Sequence, residues 1–186
     1  MTFESFFRKG WFLPILLICA ACARPPVEAG PPNILLISID ALRADHLSCY
    51  GYDRPTSPVL DELAAQGMRF SRAFVNTHGT PPSHATLLSS LYQESHRVDI
   101  ESASVVGRSI PGGIAMVQEV FAEAGWHTLA VTGGGYMSGR FGFSRGFTEY
   151  IDLARGVDQG VEFLLEYMRE PLERGQPVFA FFHTYE

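Results

Sequence analysis

Between Asn33 and Ile39 the chain reads NILLISI, an almost unbroken apolar run opened by Pro31 and Pro32 and closed by Asp40. Without alternation, such a run suits a strand covered on both faces, as in a parallel α/β sheet. In SPVLDELAAQG, Val59, Leu60, Leu63 and Ala64 recur at helical spacing. Ser57 is placed there as N-cap, Pro58 as first helical residue and Gly67 as stop. MRFSRAFV alternates imperfectly through Met68, Phe70, Ala73 and Phe74 and predicts a strand. Apolar Ala85, Leu87, Leu88 and Leu91 predict a helix over Ser83–Leu91, and Ile114–Ala124 predicts another, ended by Gly125.

HTLAVT then reads as a short strand, and GGGYMSGRFGFSRGF as a glycine-rich loop whose spacing is not that of a G-x-x-x-x-G-K phosphate loop. Val157 to about Arg174 is helical, and PVFAFFHTYE is a last buried strand running to the end of the sequence. This order of strands and helices is α/β, with a mostly parallel sheet sandwiched by helices and no internal repeat. In such sheets the chemistry lies beyond the C-terminal ends of the strands.

Composition adds bounds. The 186 residues are 46% hydrophobic, 12% aromatic and 18% charged, with a formal net charge of −6. That describes a globular chain and argues against a nucleic-acid partner. The first residues stand apart. MTFESFFRKGWFLPILLICAAC has Arg8 and Lys9 ahead of an apolar run from Trp11, too short to span a bilayer comfortably and suited to a secretory leader. Its end resembles a bacterial lipobox, with Cys22 as the lipidated residue and Cys19 where Leu or Val is usual. The other readings are an ordinary signal peptide or an uncleaved anchor. Residues 1–22 are therefore expected to be a leader and 23–32 a Pro-rich linker. The protein is expected to be exported to the periplasmic or cell-surface face and tethered through a lipid on Cys22. Cys49 is then the one remaining thiol, expected in the core rather than reactive.

Three features project from strand ends or helix starts. Asp40 follows the first strand directly and reads either as a hard-cation ligand or as a cap for the next turn. Thr80 precedes Pro81-Pro82-Ser83-His84. It is either a nucleophile at the positive end of a helix, activated by a metal or a base, or simply the residue before a Pro-Pro-Ser helix start. His183 closes the last strand. A lone histidine there is more often structural, but the three features together are placed to face one crevice.

The run NILLISIDALRADHLSCYGYDRPTSPVLDELAAQGMRFSRAFVNTHGTPPSHATLLSSLY, continued by EVFAEAGWHTLAVT, GFSRGFTEY and FFHTYE, resembles the N-terminal half of the sulfatase family, within the alkaline phosphatase-like superfamily. By this resemblance, residues 33–186 are the N-terminal part of a sulfatase-like catalytic domain, incomplete at its C-terminus. Asp40 matches the family's first metal-ligating aspartate, while Ala41 stands where sulfatases have a second. Thr80 matches the nucleophile position, which in sulfatases is a Cys or Ser oxidised to formylglycine, and His84 replaces the arginine of the Cys-x-Pro-x-Arg signature. Gly133 stands near a position that usually holds lysine. His183 resembles the first histidine of an H-T-x-D-P-H loop.

The resemblance implies a metal-dependent hydrolase of sulfate or phosphate esters acting on a small-molecule, glycan or lipid-headgroup anion. Thr80 would be the nucleophile and a metal ligand with Asp40, and His84 and His183 would contact substrate. The divalent metal (Ca, Mg, Zn or Mn) would take its remaining ligands from beyond Glu186, so that this chain alone is expected to be inactive. Threonine cannot form an aldehyde by that oxidation, because its Cβ carries a methyl group, so the chemistry leans towards phosphoryl transfer. The alternatives are a phosphoethanolamine-type transferase and a truncated, non-catalytic relative that binds anionic ligands. Arg140 and Arg145 are expected on a solvated loop face rather than in a sulfate clamp, and Trp126 as a core anchor.

Overall fold

A computed structural model describes residues 30–99, 109–152 and 156–185, so that the leader, Cys22 and nearly all of the linker lie outside the described residues. Its strands and helices, in chain order, are β1 (Ile34–Ile39), α1 (Pro58–Gln66), α2 (Thr80–Ser89), α3 (Gln93–His96), α4 (Val117–Glu123), β2 (His127–Thr132), β3 (Glu149–Ile151), α5 (Gly156–Glu173) and β4 (Val178–Thr184). The strands form one parallel sheet in the order β1-β4-β2-β3. Pro32–Glu186 is one compact unit.

Side chains of β2 and β4 alternate between the two faces of the sheet, as strand geometry requires. On one face Ala130 and Phe181 pack with Ala85 and Leu88 of α2 and with Met137, Phe141 and Phe143 of the glycine-rich loop. On the other, Leu129, Val131, Val178, Ala180 and Phe182 pack with Leu164 of α5. Every residue of β2 and of β4 is buried. Complete burial of a Phe or Leu side chain contributes about 1.5–3 kcal/mol, so these two strands hold a large share of the core's stabilisation.

The first strand departs from expectation. Its apolar run predicts cover on both faces, yet Leu35 and Ile37 are 47% and 54% exposed. They lie in register with Ala180 and Phe182, on the α5 face of the sheet, and β1 is an edge strand among the described residues. The last strand, by contrast, is paired on both sides, by β1 and β2.

MRFSRAFV forms no strand. Met68, Phe70, Phe74 and Val75 are exposed, and among the described residues no strand pairs with this segment to satisfy its backbone groups. Three helix starts also differ. Ser57 precedes α1 as expected but makes no side-chain cap; its hydroxyl donates to Asp61 and accepts from the Ser48 N–H. Helix α2 begins three residues early, with Thr80 itself in the first turn. The adjacent prolines are tolerated because first-turn N–H groups have no partner within a helix. Helix α4 begins late, at Val117, where the Glu119 carboxylate accepts the Met116 N–H.

The glycine-rich loop is packed rather than open. It contains two 3₁₀ turns, Gly135–Met137 and Gly139–Phe141. Arg145 is neither solvated nor in an anion clamp. Its guanidinium pairs with Glu119 at 2.8 Å and donates to the Pro111 and Ile114 carbonyls. Arg140 lies over the Phe141 ring. Trp126 packs at a tilt against the Phe121 ring as a half-buried anchor, and Cys49 is half-buried with its thiol pKa raised by desolvation and by its contact with Asp61.

Gly146 allows the tight approach of this loop to α4. It has φ +81°, and a Cβ there would lie 2.9 Å from the Glu119 nitrogen. Gly146→Ala is expected to destabilise the fold by about 2 kcal/mol or more, combining left-handed strain with a backbone clash. Urea unfolding checks this, with Gly113→Ala, which meets nothing within 4 Å, as the tolerant comparison.

Candidate active site

The sheet register builds the site. Ser38 and Thr132 both pair with His183, and Ile39 pairs with Thr184, so β1, β4 and β2 end side by side. Asp40 is the first residue past β1, and its N–H donates to the Thr184 carbonyl at 2.9 Å. Ala41 next to it has φ +55°, a left-handed turn that takes the chain away from the sheet and leaves the Asp40 carboxylate at its end.

Helix α2 delivers Thr80 to this place. The Thr80 hydroxyl donates to Asp40 Oδ2 at 2.7 Å, a charge-assisted bond between residues 40 positions apart. Pro81 and Pro82 bring no N–H, and the Ser83 N–H already donates to Gly79 O. The helix dipole therefore points at the site with fewer free donors than a usual helix start provides. Thr80 is not merely a residue ahead of a helix.

His84 sits one turn further along α2 and is almost fully buried. Its Nδ1 lies 2.7 Å from the Thr80 carbonyl and its Nε2 2.8 Å from Ser38 Oγ. A carbonyl only accepts, so Nδ1 carries the proton and Nε2 accepts from Ser38. Both nitrogens are thereby committed within the fold, and the ring cross-links β1 to the first turn of α2. Desolvation lowers the pKa of His84, against the raising effect of the Thr80 carbonyl and the Asp40 charge.

His183 differs from it. The side chain is fully buried, yet both ring nitrogens lack a hydrogen-bond partner among the described residues, and Nε2 lies 3.6 Å from Asp40 Oδ2. Its ring meets His84 and Tyr185 edge-on, at centroid distances of 4.9 and 4.7 Å. Burial and the neighbouring His84 lower its pKa to about 4, despite Asp40. The contact with Asp40 is thus one of a neutral imidazole rather than an ion pair.

Two residues of this site carried no recognisable motif. Ser38 lies inside an apolar strand, and only the pairing of β1 with β4 shows it facing α2. Tyr185 explains Gly133: a Cβ at Gly133 would fall 2.9 Å from the Tyr185 ring, whose hydroxyl donates to Gly134 O at 3.1 Å. The ring fills the space in which a side chain at 133 would begin. By contrast His96, also buried, is a structural histidine. It accepts the Val98 N–H at Nδ1 and so donates from Nε2 to Thr86 Oγ.

Among the described residues no three His, Cys, Asp or Glu side chains form a metal cluster. The Asp40 carboxylate and the Thr80 hydroxyl nevertheless fit a divalent cation in donor chemistry, as two oxygens on one side of a site open to further ligands.

A parallel sheet with helices on both faces, and these residues gathered at its strand ends, is an α/β fold, and its match to solved structures makes it alkaline phosphatase-like. The sulfatase family model matches residues 32–185, and the chain belongs to the sulfatase family. Human arylsulfatase A is 33% identical over 147 residues, which is 71% of this chain and 27% of that protein. A delta 4,5-hexuronate-2-O-sulfatase from Bacteroides thetaiotaomicron is 28% identical over 114 residues, 61% of this chain and 23% of the relative. The fold also matches the phosphonate monoester hydrolase of Agrobacterium radiobacter, with a TM-score of 0.64 at 22% identity, over 84% of this chain and 41% of that one. The chain thus spans less than a third of the length of these curated relatives.

Ser38→Ala removes the donor to His84 and is expected to cost about 1 kcal/mol. The pH dependence has a definite sign. Both site histidines bind protons less readily folded than unfolded, so stability in metal-free protein is full above the ordinary histidine value of 6.5 and declines as the pH falls towards about 4. Urea midpoints between pH 7.5 and 4 measure this, and His183→Gln is expected to flatten the decline.

Proposed function

We propose that the chain carries the nucleophile half of a metal-dependent hydrolase of sulfate or phosphate esters, with Thr80 as nucleophile. The observation that carries this reading is the 2.7 Å bond from the Thr80 hydroxyl to Asp40 at the strand ends. Family membership supports an ester hydrolase, and the site's residues support the role of each side chain. Asp40 and Thr80 would hold a divalent cation, which supplies Lewis-acid stabilisation of an ionised hydroxyl.

Thr80 Oγ forms a bond to the sulfur or phosphorus of the ester, giving up its proton along the hydrogen bond towards Asp40. The bond from that centre to the leaving oxygen breaks, and the departing alkoxide takes up the proton that Thr80 gave to Asp40, which leaves the carboxylate ionised again. Water then attacks the threonine ester, restoring the Thr80 hydroxyl and releasing the inorganic anion. A threonine ester has no hemiacetal through which to expel sulfate, so attack by water must carry the second step, and this favours phosphate-type esters. An alcohol acceptor in place of water would make the same site a transferase, phosphoethanolamine-type among others. His84 acts as a positioning residue that fixes the Thr80 carbonyl against Ser38. His183 borders the reacting centre. Export and tethering through Cys22 would place this chemistry at a membrane surface, a reading supported by the leader's residue pattern alone.

The test uses protein purified from its own host cells, assayed on 4-nitrophenyl phosphate and 4-nitrophenyl sulfate. Thr80→Ala is expected to lower kcat by at least about a thousandfold, and Thr80→Ser to retain measurable turnover. A Thr80→Ala protein with unaltered turnover would contradict the assignment.

A further inference from the structure

His183 presents a problem that the proposed chemistry does not use. Buried polar atoms almost always have partners, yet among the described residues both nitrogens of this fully buried ring have none. Its neighbours account for its packing only. His84 and Tyr185 meet it edge-on, and Phe181 lies alongside. None of these contacts satisfies a nitrogen. The atom that Nε2 does approach is Asp40 Oδ2, at 3.6 Å, too long for a hydrogen bond. That same carboxylate oxygen accepts from Thr80 at 2.7 Å.

We infer that His183 Nε2 is a metal ligand, joining Asp40 and Thr80 in a mixed nitrogen and oxygen site that selects a transition-type cation over calcium or magnesium. A separation of 3.6 Å between Nε2 and Oδ2 is wider than a hydrogen-bonded pair would adopt, so the two atoms face each other with no proton shared between them, beside the Thr80 hydroxyl on the same carboxylate oxygen. His84 cannot serve in its place, because its Nδ1 proton is engaged by Thr80 O and its Nε2 by Ser38. An imidazole ligand favours zinc, iron, nickel or copper, whereas calcium and magnesium prefer an all-oxygen shell. The inference rests on the reading above only in placing a cation at Asp40, and it adds the ligand that sets the metal's identity.

Cobalt(II) is the probe. Added to the full chain, it is expected to give visible d–d absorption and a hyperfine-shifted imidazole N–H resonance that zinc removes and a tenfold excess of calcium does not. In His183→Gln that resonance is expected to vanish and cobalt affinity to fall by more than about tenfold. His46→Gln, which alters an exposed histidine, is expected to leave both unchanged. The resonance in the unmutated chain needs no variant to fold, and circular dichroism checks the variants. Unchanged affinity in folded His183→Gln, absence of a shifted imidazole proton, or displacement by calcium as readily as by zinc would overturn the inference. Two outcomes separate it from the functional reading. If Asp40→Ala binds cobalt as tightly as the unmutated chain, the cation is misplaced and both fail at that point. If Asp40→Ala loses binding while His183→Gln keeps it, the functional reading stands and the role of His183 falls.

Discussion

The site depends on the parallel register of β4 between β1 and β2. Ser38 and Thr132 flank His183 at matching levels, so three strands finish together and Asp40 emerges beside His183. A slip of one residue in β4 would turn His183 to the α5 face and bring Phe182 to the site. The two core clusters prevent that slip, because Phe181 faces α2 and Phe182 faces α5, and the exchange would leave both faces mispacked. Packing energy in the sheet thus fixes the distances on which the proposed chemistry relies.

The second constraint is the docking of α2. Its buried Ala85 and Leu88 lie on the sheet, and the His84 ring bridges Ser38 to the Thr80 carbonyl. Together they hold the first turn so that the Thr80 hydroxyl meets Asp40. The two prolines limit the conformations open to that turn, and they also remove donors that would otherwise bind an anion. A substrate anion at this helix start would be held by charge more than by backbone hydrogen bonds.

Much of the fold is legible in the sequence. The uninterrupted apolar runs at 34–39 and 178–184 and the LAV core of β2 identify strands because burial on a parallel sheet leaves no polar alternation. Helices α1 and α5 are signalled by apolar spacing and, for α1, by Pro58 and Gly67. MRFSRAFV shows the limit of such patterns: alternation describes a strand only where a neighbour pairs with it. The three-residue β3 is too short to carry a pattern. Cover of β1 depends on chain packed against its outer side, which no local pattern encodes.

The site was legible as positions rather than as roles. Asp40, Thr80 and His183 stand out by their places at element ends, and the structure brings all three together with His84. The closed hydrogen bonds of His84, the open nitrogens of His183 and the partnership of Gly133 with Tyr185 are tertiary facts, set by residues 46, 143 and 52 positions distant. The most direct test of the central claim is to quench host-purified protein in acid during turnover of 4-nitrophenyl phosphate and map the peptides by mass spectrometry. The account predicts a phosphoester on Thr80. An adduct on another residue, or turnover with no adduct at any quench time, would contradict it.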